Sequence, residues 1–360
     1  MNKIFKKIIS TLLVLTMAFS VSICAFATGG KKYRKYVCLG DSNAAGFATT
    51  DYVISCVPTK DAYHTKVADE LGAELSLYSW CGLRSCELRY LLDGGYELDA
   101  SYAEISKEIT AAVDIRKVAL DAVRENALKD IKEADLITVQ VGANDLFTAP
   151  FKIYNYKGQT EGADIDFANQ FKAIDKLLGG NGKIGFVLYL MVYLAKSVGD
   201  YKENWDACIK KIREINSDAD IVAVSINNPF DCIVLTENSE IQIGKMAALI
   251  TESLNIYIKT KSPYALQYHF CDCTDIPLCE GVAANDPNFE ANMMGPAHPD
   301  DDEHTIMARK ILETIGADVS NPALSPSLKE DTSSFKAKII NKTIAKTVYA
   351  VSEVLGKLWK

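Results

Sequence analysis

The sequence predicts an α/β fold, a central parallel β-sheet with helices on both faces, lengthened by helical insertions. Two observations carry this. Short apolar runs suited to buried strands recur along the chain, and amphipathic stretches of helical length separate them. Strands that alternate with long helical segments need crossover connections, and crossovers build parallel sheets covered on both sides. An apolar fraction of 48% supplies the core such a fold needs.

The strand-like runs are Lys35 to Leu39, Glu74 to Ser79, Asp135 to Val141 and Asp220 to Ser225, with a weaker fifth from Ala265 to Cys271. Helical periodicity covers Ala62 to Leu71, Ser85 to Leu92, Ser101 to Lys132, Trp205 to Ile215 and Ile241 to Lys259. Two stretches exceed what a simple crossover needs: the helix from Ser101 to Lys132, and the segment Ala149 to Gly199 with its apolar run Ile184 to Ala195. That run reads either as a hydrophobic lid or acyl-binding wall, or as a helix buried against the core. No internal repeat is present.

The chain begins with Lys3, Lys6 and Lys7, then a mostly apolar run from Ile8 to Phe19, then Ala25-Phe26-Ala27. A basic start, a short apolar stretch and a small-x-small site make residues 1–27 an export signal, and the run is too short to span a bilayer. The expected location is therefore secreted or extracellular. Cys24 does not make a good lipoprotein site, because Ile23 occupies a position that needs a small residue. Without this segment 36 basic residues face 47 acidic ones, a net charge of −11. That balance excludes nucleic acid as a partner.

Residues 28–320 then form the main domain. Asn321 to Ser334 is rich in Pro and Ser, so residues 321–335 read as a linker. Within 336–360, Ile340, Ile344, Val348, Val351, Leu355 and Leu358 repeat at helical spacing among lysines. Such a basic amphipathic helix can contact a membrane or cell surface peripherally, or dock on the domain itself. Nine cysteines remain after Cys24, an odd number. Cys81 with Cys86, or pairs among Cys271, Cys273 and Cys279, are candidate disulfides. Their spacing is poor for zinc, and Cys38 reads as a buried thiol inside the first strand.

The chemistry gathers at strand ends. The first strand runs into Gly40-Asp41-Ser42-Asn43-Ala44-Ala45-Gly46. Ligands of open parallel sheets bind at the carboxyl ends of strands beside the topological switch, so Ser42 is a candidate nucleophile. After the second strand, Cys81-Gly82-Leu83-Arg84-Ser85 offers a glycine whose backbone N–H can approach a substrate. After the third, Val141-Gly142-Ala143-Asn144-Asp145 offers a neutral amide donor for an oxyanion. Near the C-terminus, Ala297-His298-Pro299 precedes the acidic run Asp300 to Glu303 and a helix through Ile306, Met307 and Ala308.

Of the four histidines, His64 falls in the helix after the first loop as a surface or partly packed residue, and His269 in the fifth strand as a core residue. His304 is the rival to His298. Pro299 gives His298 an extended loop conformation suited to reaching a crevice, which favours His298 as the base.

Ser42, Gly82, Asn144 and His298, in that order and each at the expected strand end, resemble the SGNH or GDSL-type hydrolases over about Tyr36 to Ile315. The resemblance implies a flavodoxin-like three-layer α/β/α sandwich and an esterase, lipase or carbohydrate deacetylase activity; the alternative is a catalytically weak surface-binding module that kept the fold. It implies Ser42 as nucleophile, His298 as base, and an oxyanion hole made of the Ser42 and Gly82 backbone N–H groups and the Asn144 side chain. No metal or organic cofactor is needed, and the substrate would be a small-molecule, lipid or polysaccharide ester. Two departures stand out. Asn43 replaces the usual leucine, and Gly295 occupies the position of the aspartate that orients the histidine. Some relatives orient the histidine with a backbone carbonyl, which Gly295 can still provide; otherwise Asp286 or one of Asp300 to Asp302, Asp301 among them, is the candidate orienting acid. Without a G-x-S-x-G elbow, the α/β-hydrolase fold is disfavoured.

Overall fold

The computed structural model describes residues 33–98, 113–146, 183–228, 233–234, 243–262, 266–276, 282–283 and 298–325. The chain divides into a short unit, Met1–Tyr33, described only at Tyr33, and the unit Arg34–Lys360, which contains everything below. Residues 1–27, read above as an export signal, together with Cys279, Asp286, Gly295 and residues 326–360, lie outside the described residues.

In order, the elements are β1 (Lys35–Gly40), α1 (Ser42–Ala45), α2 (Tyr63–Leu71), β2 (Glu74–Ser79), α3 (Ser85–Leu92), α4 (Val113–Glu133), β3 (Leu136–Gln140), α5 (Lys183–Ile215), β4 (Asp220–Val224), β5 (Ile233–Val234), α6 (Ile243–Lys261), β6 (His269–Cys271), β7 (Val282–Ala283) and α7 (Asp301–Thr314). Five strands form a parallel sheet in the order β2-β1-β3-β4-β6, and β5 pairs with β7 separately. Leaving out β5, the sheet reads 2-1-3-4-5, the flavodoxin-like winding, with its switch between β1 and β3. The expected α/β fold is the one observed.

Alternation along the strands sorts the two faces. Val37 and Leu39 of β1, Ile137 and Val139 of β3, and Ile221 and Ala223 of β4 join one apolar cluster with residues of α3, α4, α5 and α6. Each fully buried aliphatic side chain contributes about 1.5–3 kcal/mol. The opposite face is more polar. Tyr36 and Thr138 share a hydrogen bond of 2.8 Å there, and Tyr63 of α2 lies 3.5 Å from the Cys38 sulfur. Helices α2 and α7 pack together on that side, where His304 accepts the Tyr63 backbone N–H at 3.3 Å.

Several expectations need correction. The run Ile184 to Ala195 and the helix from Trp205 are parts of one 33-residue helix, α5; from Leu194 onward its buried residues join the core. His64 is fully buried: its Nδ1 donates to the Ala44 carbonyl at 2.9 Å and its Nε2 accepts the Thr59 N–H at 3.3 Å. His269 is exposed, because its side chain projects from the last strand of the sheet. The start of the predicted linker belongs to the domain, for Pro322–Leu324 forms a 3-10 turn with Leu324 buried, and Asn321 bonds Glu70 at 2.8 Å. Among the described residues no disulfide joins Cys81 to Cys86 or Cys271 to Cys273, and the sulfurs of the latter two lie 3.7 Å apart.

Candidate active site

Three neighbouring strands end at one level. Gly40 of β1 is in register with Ser79 of β2 on one side and Gln140 of β3 on the other. The Trp80 N–H donates to the Gly40 carbonyl and the Asp41 N–H to the Gln140 carbonyl, each at 3.0 Å. The segments carrying Ser42, Gly82 and Asn144 therefore leave the sheet side by side at the switch point. Gly40 permits this closeness, since a Cβ there would lie 2.2 Å from the Gln140 carbonyl oxygen and 2.6 Å from the Ala44 Cβ.

Ser42 is the first residue of α1. Asp41 caps that helix, its extended backbone turning the chain and its carboxylate accepting the Asn43 N–H at 3.1 Å. The Ser42 N–H, an orphan of the first turn, meets no acceptor among the described residues. Burial pushes the Asp41 carboxyl up to about 7, helped by the charge of Asp145. Asp145, raised by burial to about 6, accepts the Ser85 N–H at 2.9 Å and its hydroxyl at 2.5 Å.

Asn144 sits just before this buried carboxyl. Its amide donates one bond to the Leu83 carbonyl at 3.1 Å. A primary amide has two N–H donors, so the second remains for a ligand while the first ties the β3 loop to the β2 loop. Asn144 to Leu83 and Asp145 to Ser85 thus stitch together the two loops that carry the candidate oxyanion donors.

His298 comes from the far end of the chain. Its Nε2 lies 2.8 Å from the Ser42 hydroxyl oxygen, and its ring lies 4.8 Å from the Phe47 ring. Two residues later Asp300 caps α7 through a reciprocal capping box. It accepts the Asp302 and Glu303 N–H groups at 3.0 Å, and Glu303 accepts the Asp300 N–H at 2.8 Å. Asp301, a candidate orienting acid, is instead committed to the first loop: its two oxygens accept the Thr50 N–H at 2.9 Å and the Thr50 hydroxyl at 2.6 Å. Asp286 and Gly295 lie outside the described residues. His304, the rival base, is buried on α7 with its pKa driven well below the ordinary histidine value by desolvation. It stays neutral and packs against Tyr63.

The arrangement can activate a hydroxyl. A serine oxygen within hydrogen-bond reach of an imidazole nitrogen, beside unengaged backbone and amide N–H donors, is the geometry of a nucleophile with its base. Among the described residues no group of three or more His, Cys, Asp or Glu side chains is placed to hold a metal ion. Sequence reading missed two contributors, the Thr50–Asp301 tie and Arg116, whose guanidinium reaches the Cys81 carbonyl at 2.7 Å. Neither has a local sequence signal, since each joins segments far apart in the chain.

No family model matches the chain, and no curated protein matches it. Among solved structures, it is similar to a lipase from a goat rumen metagenome, at 17% identity and a TM-score of 0.45, covering 79% of this chain and 97% of that one. It is similar to an extracellular lipase from Streptomyces rimosus, at 13% identity and a TM-score of 0.47, covering 78% and 99%. A third is an acetylxylan esterase from Geobacillus stearothermophilus, at 11% identity and a TM-score of 0.37, covering 79% and 95%.

Proposed function

We propose that the chain is a serine hydrolase of the SGNH or GDSL type that cleaves carboxylic esters through an acyl-enzyme on Ser42. The observation that carries this reading is the 2.8 Å approach of His298 Nε2 to the Ser42 oxygen at the switch point of the sheet. His298 takes the hydroxyl proton as Ser42 attacks the ester carbonyl. The carbonyl electron pair moves onto oxygen, where the Ser42 N–H, the Gly82 N–H and the Asn144 amide receive it. Collapse breaks the bond to the alcohol, which leaves with the proton from His298. Water then attacks the acyl-enzyme by the same route, releasing the acid and restoring Ser42.

The basic start and apolar run of residues 1–27 support export, which would bring the site to lipid or polysaccharide esters outside the cell. The lysine-rich periodicity of residues 336–360 supports peripheral contact with a surface carrying such esters. Labelling with a fluorophosphonate probe tests the mechanism. Covalent modification of Ser42, blocked in Ser42→Ala, is the expected result; an unlabelled wild-type chain overturns it. Turnover of p-nitrophenyl acetate, butyrate and palmitate then separates a deacetylase from a lipase.

A further inference from the structure

Trp80 to Leu83 is a tight turn closed by the Leu83 N–H on the Trp80 carbonyl at 3.0 Å. Gly82, its third residue, has φ +78°, whereas Cys81, its second, is not in the positive-φ region. Positive φ at the third position alone is what a type II turn requires and a type I turn excludes. Type I and type II turns differ by a flip of the central peptide, here the unit formed by the Cys81 carbonyl and the Gly82 N–H. That unit is planar and trans, so its two ends point in opposite directions. Whatever holds the carbonyl decides where the N–H points. Glycine by itself does not decide it, because glycine accepts either sign of φ.

The Cys81 carbonyl is held by Arg116 of α4, whose Nη2 donates to it at 2.7 Å. The bond is charge-assisted and so among the stronger kinds. The preceding peptide is also held, since the Cys81 N–H donates to the Ser55 hydroxyl at 3.1 Å. The other terminal nitrogen of Arg116, Nη1, is buried and has no hydrogen-bond partner among the described residues.

We infer that Arg116 is a positioning residue of the oxyanion hole: by gripping the Cys81 carbonyl it locks the central peptide of the turn in the flip that presents the Gly82 N–H to the substrate. This rests on the proposed function, which gives that N–H its role. Arg116 touches no reacting atom. It acts through one peptide bond, and its positive charge also polarises that peptide and makes the N–H a better donor.

The test compares Arg116→Met and Arg116→Lys with wild type on the full chain, reading kcat and KM for p-nitrophenyl acetate, the rate of Ser42 labelling by a fluorophosphonate, and Tm. Loss of a whole oxyanion donor lowers kcat about 10²–10³-fold. Freeing a donor to flip should cost somewhat less, so Arg116→Met is expected to lower kcat and the labelling rate about 10–100-fold while KM stays within about twofold. Arg116→Lys, which keeps a cationic donor, and added guanidinium ion should each restore part of the loss. Unchanged kcat in Arg116→Met overturns the inference while the parent reading stands. So does a loss that follows a lowered Tm and that neither lysine nor guanidinium relieves, which would make Arg116 merely structural. A wild-type chain that neither turns over ester nor labels at Ser42 removes the parent reading, and this inference with it.

Discussion

Thr50 and Asp301, 251 positions apart, are joined by two hydrogen bonds, from the Thr50 N–H to one carboxylate oxygen at 2.9 Å and from its hydroxyl to the other at 2.6 Å. One end of this tie is the loop that follows the candidate nucleophile. The other is the start of the helix that follows the candidate base. It therefore fastens the loops of Ser42 and His298 to each other, and the 2.8 Å contact between those side chains sits beside it.

A tie and an orienting acid respond differently to mutation. Asp301→Ala, which removes both exposed bonds, should destabilise the chain by about 0.5–1.5 kcal/mol, and Thr50→Val, which keeps the backbone N–H bond, by less. Because both variants remove the Thr50 hydroxyl bond, the double variant should cost less than the sum, close to Asp301→Ala alone. Activity should fall less than tenfold in each. Denaturant unfolding and ester kinetics on the four proteins check this. A loss near 10⁴-fold in Asp301→Ala alone, the scale for an acid that fixes a catalytic imidazole, would contradict it.

Asn144 holds the Leu83 carbonyl, and the proposed mechanism gives it a second, separable duty as an oxyanion donor. Asn144→Ala is expected to lower kcat about 10²–10³-fold, with a stability loss of only about 0.5–1.5 kcal/mol. Asn144→Asp, which replaces donors with acceptors facing that carbonyl, should be at least as inactive. A kcat within about threefold of wild type in Asn144→Ala would remove the residue from the oxyanion hole.

Asp41 makes the domain's stability depend on pH. Its folded pKa is raised by burial from 3.8 to about 7, so the native state holds the proton more tightly than the unfolded chain does. The unfolded chain releases the proton from about pH 4 upward, and stability falls as pH rises until the native carboxyl ionises near 7. Buried His64, lowered by desolvation to about 4, acts in the opposite sense, losing stability as pH falls below the ordinary histidine value. That contribution is common to wild type and variant and cancels in their difference. Asp41→Asn keeps a capping side chain and abolishes the titration. Its stability relative to wild type should rise by roughly 1–4 kcal/mol between pH 4 and pH 8, measured by urea unfolding. A difference independent of pH would show that the buried carboxyl is not the cause.

Much of this could be read in the sequence, because strands and helices announce themselves through local periodicity. Glu74 to Ser79 and Ser85 to Leu92 have their observed ends, and Ser42, Gly82 and Asn144 were placed by the strands before them. What failed was set by distant partners. His64 looks like an amphipathic helix residue, but its burial is made tolerable by the Ala44 carbonyl and the Thr59 N–H. His269 continues an apolar strand pattern, yet it points outward from the last strand of the sheet. The Asp301 side chain has no local signal for its partner, since both of its oxygens accept from Thr50, 251 positions away.

The central claim is the pairing of Ser42 with His298, and steady-state hydrolysis of p-nitrophenyl acetate by wild type, Ser42→Ala, His298→Ala and the double variant tests it most directly. Residues that act as one unit are strongly non-additive, so each single variant should lose at least about 10³-fold in kcat and the double variant little more. Wild-type turnover that survives Ser42→Ala, or two losses that multiply in the double variant, would contradict the account.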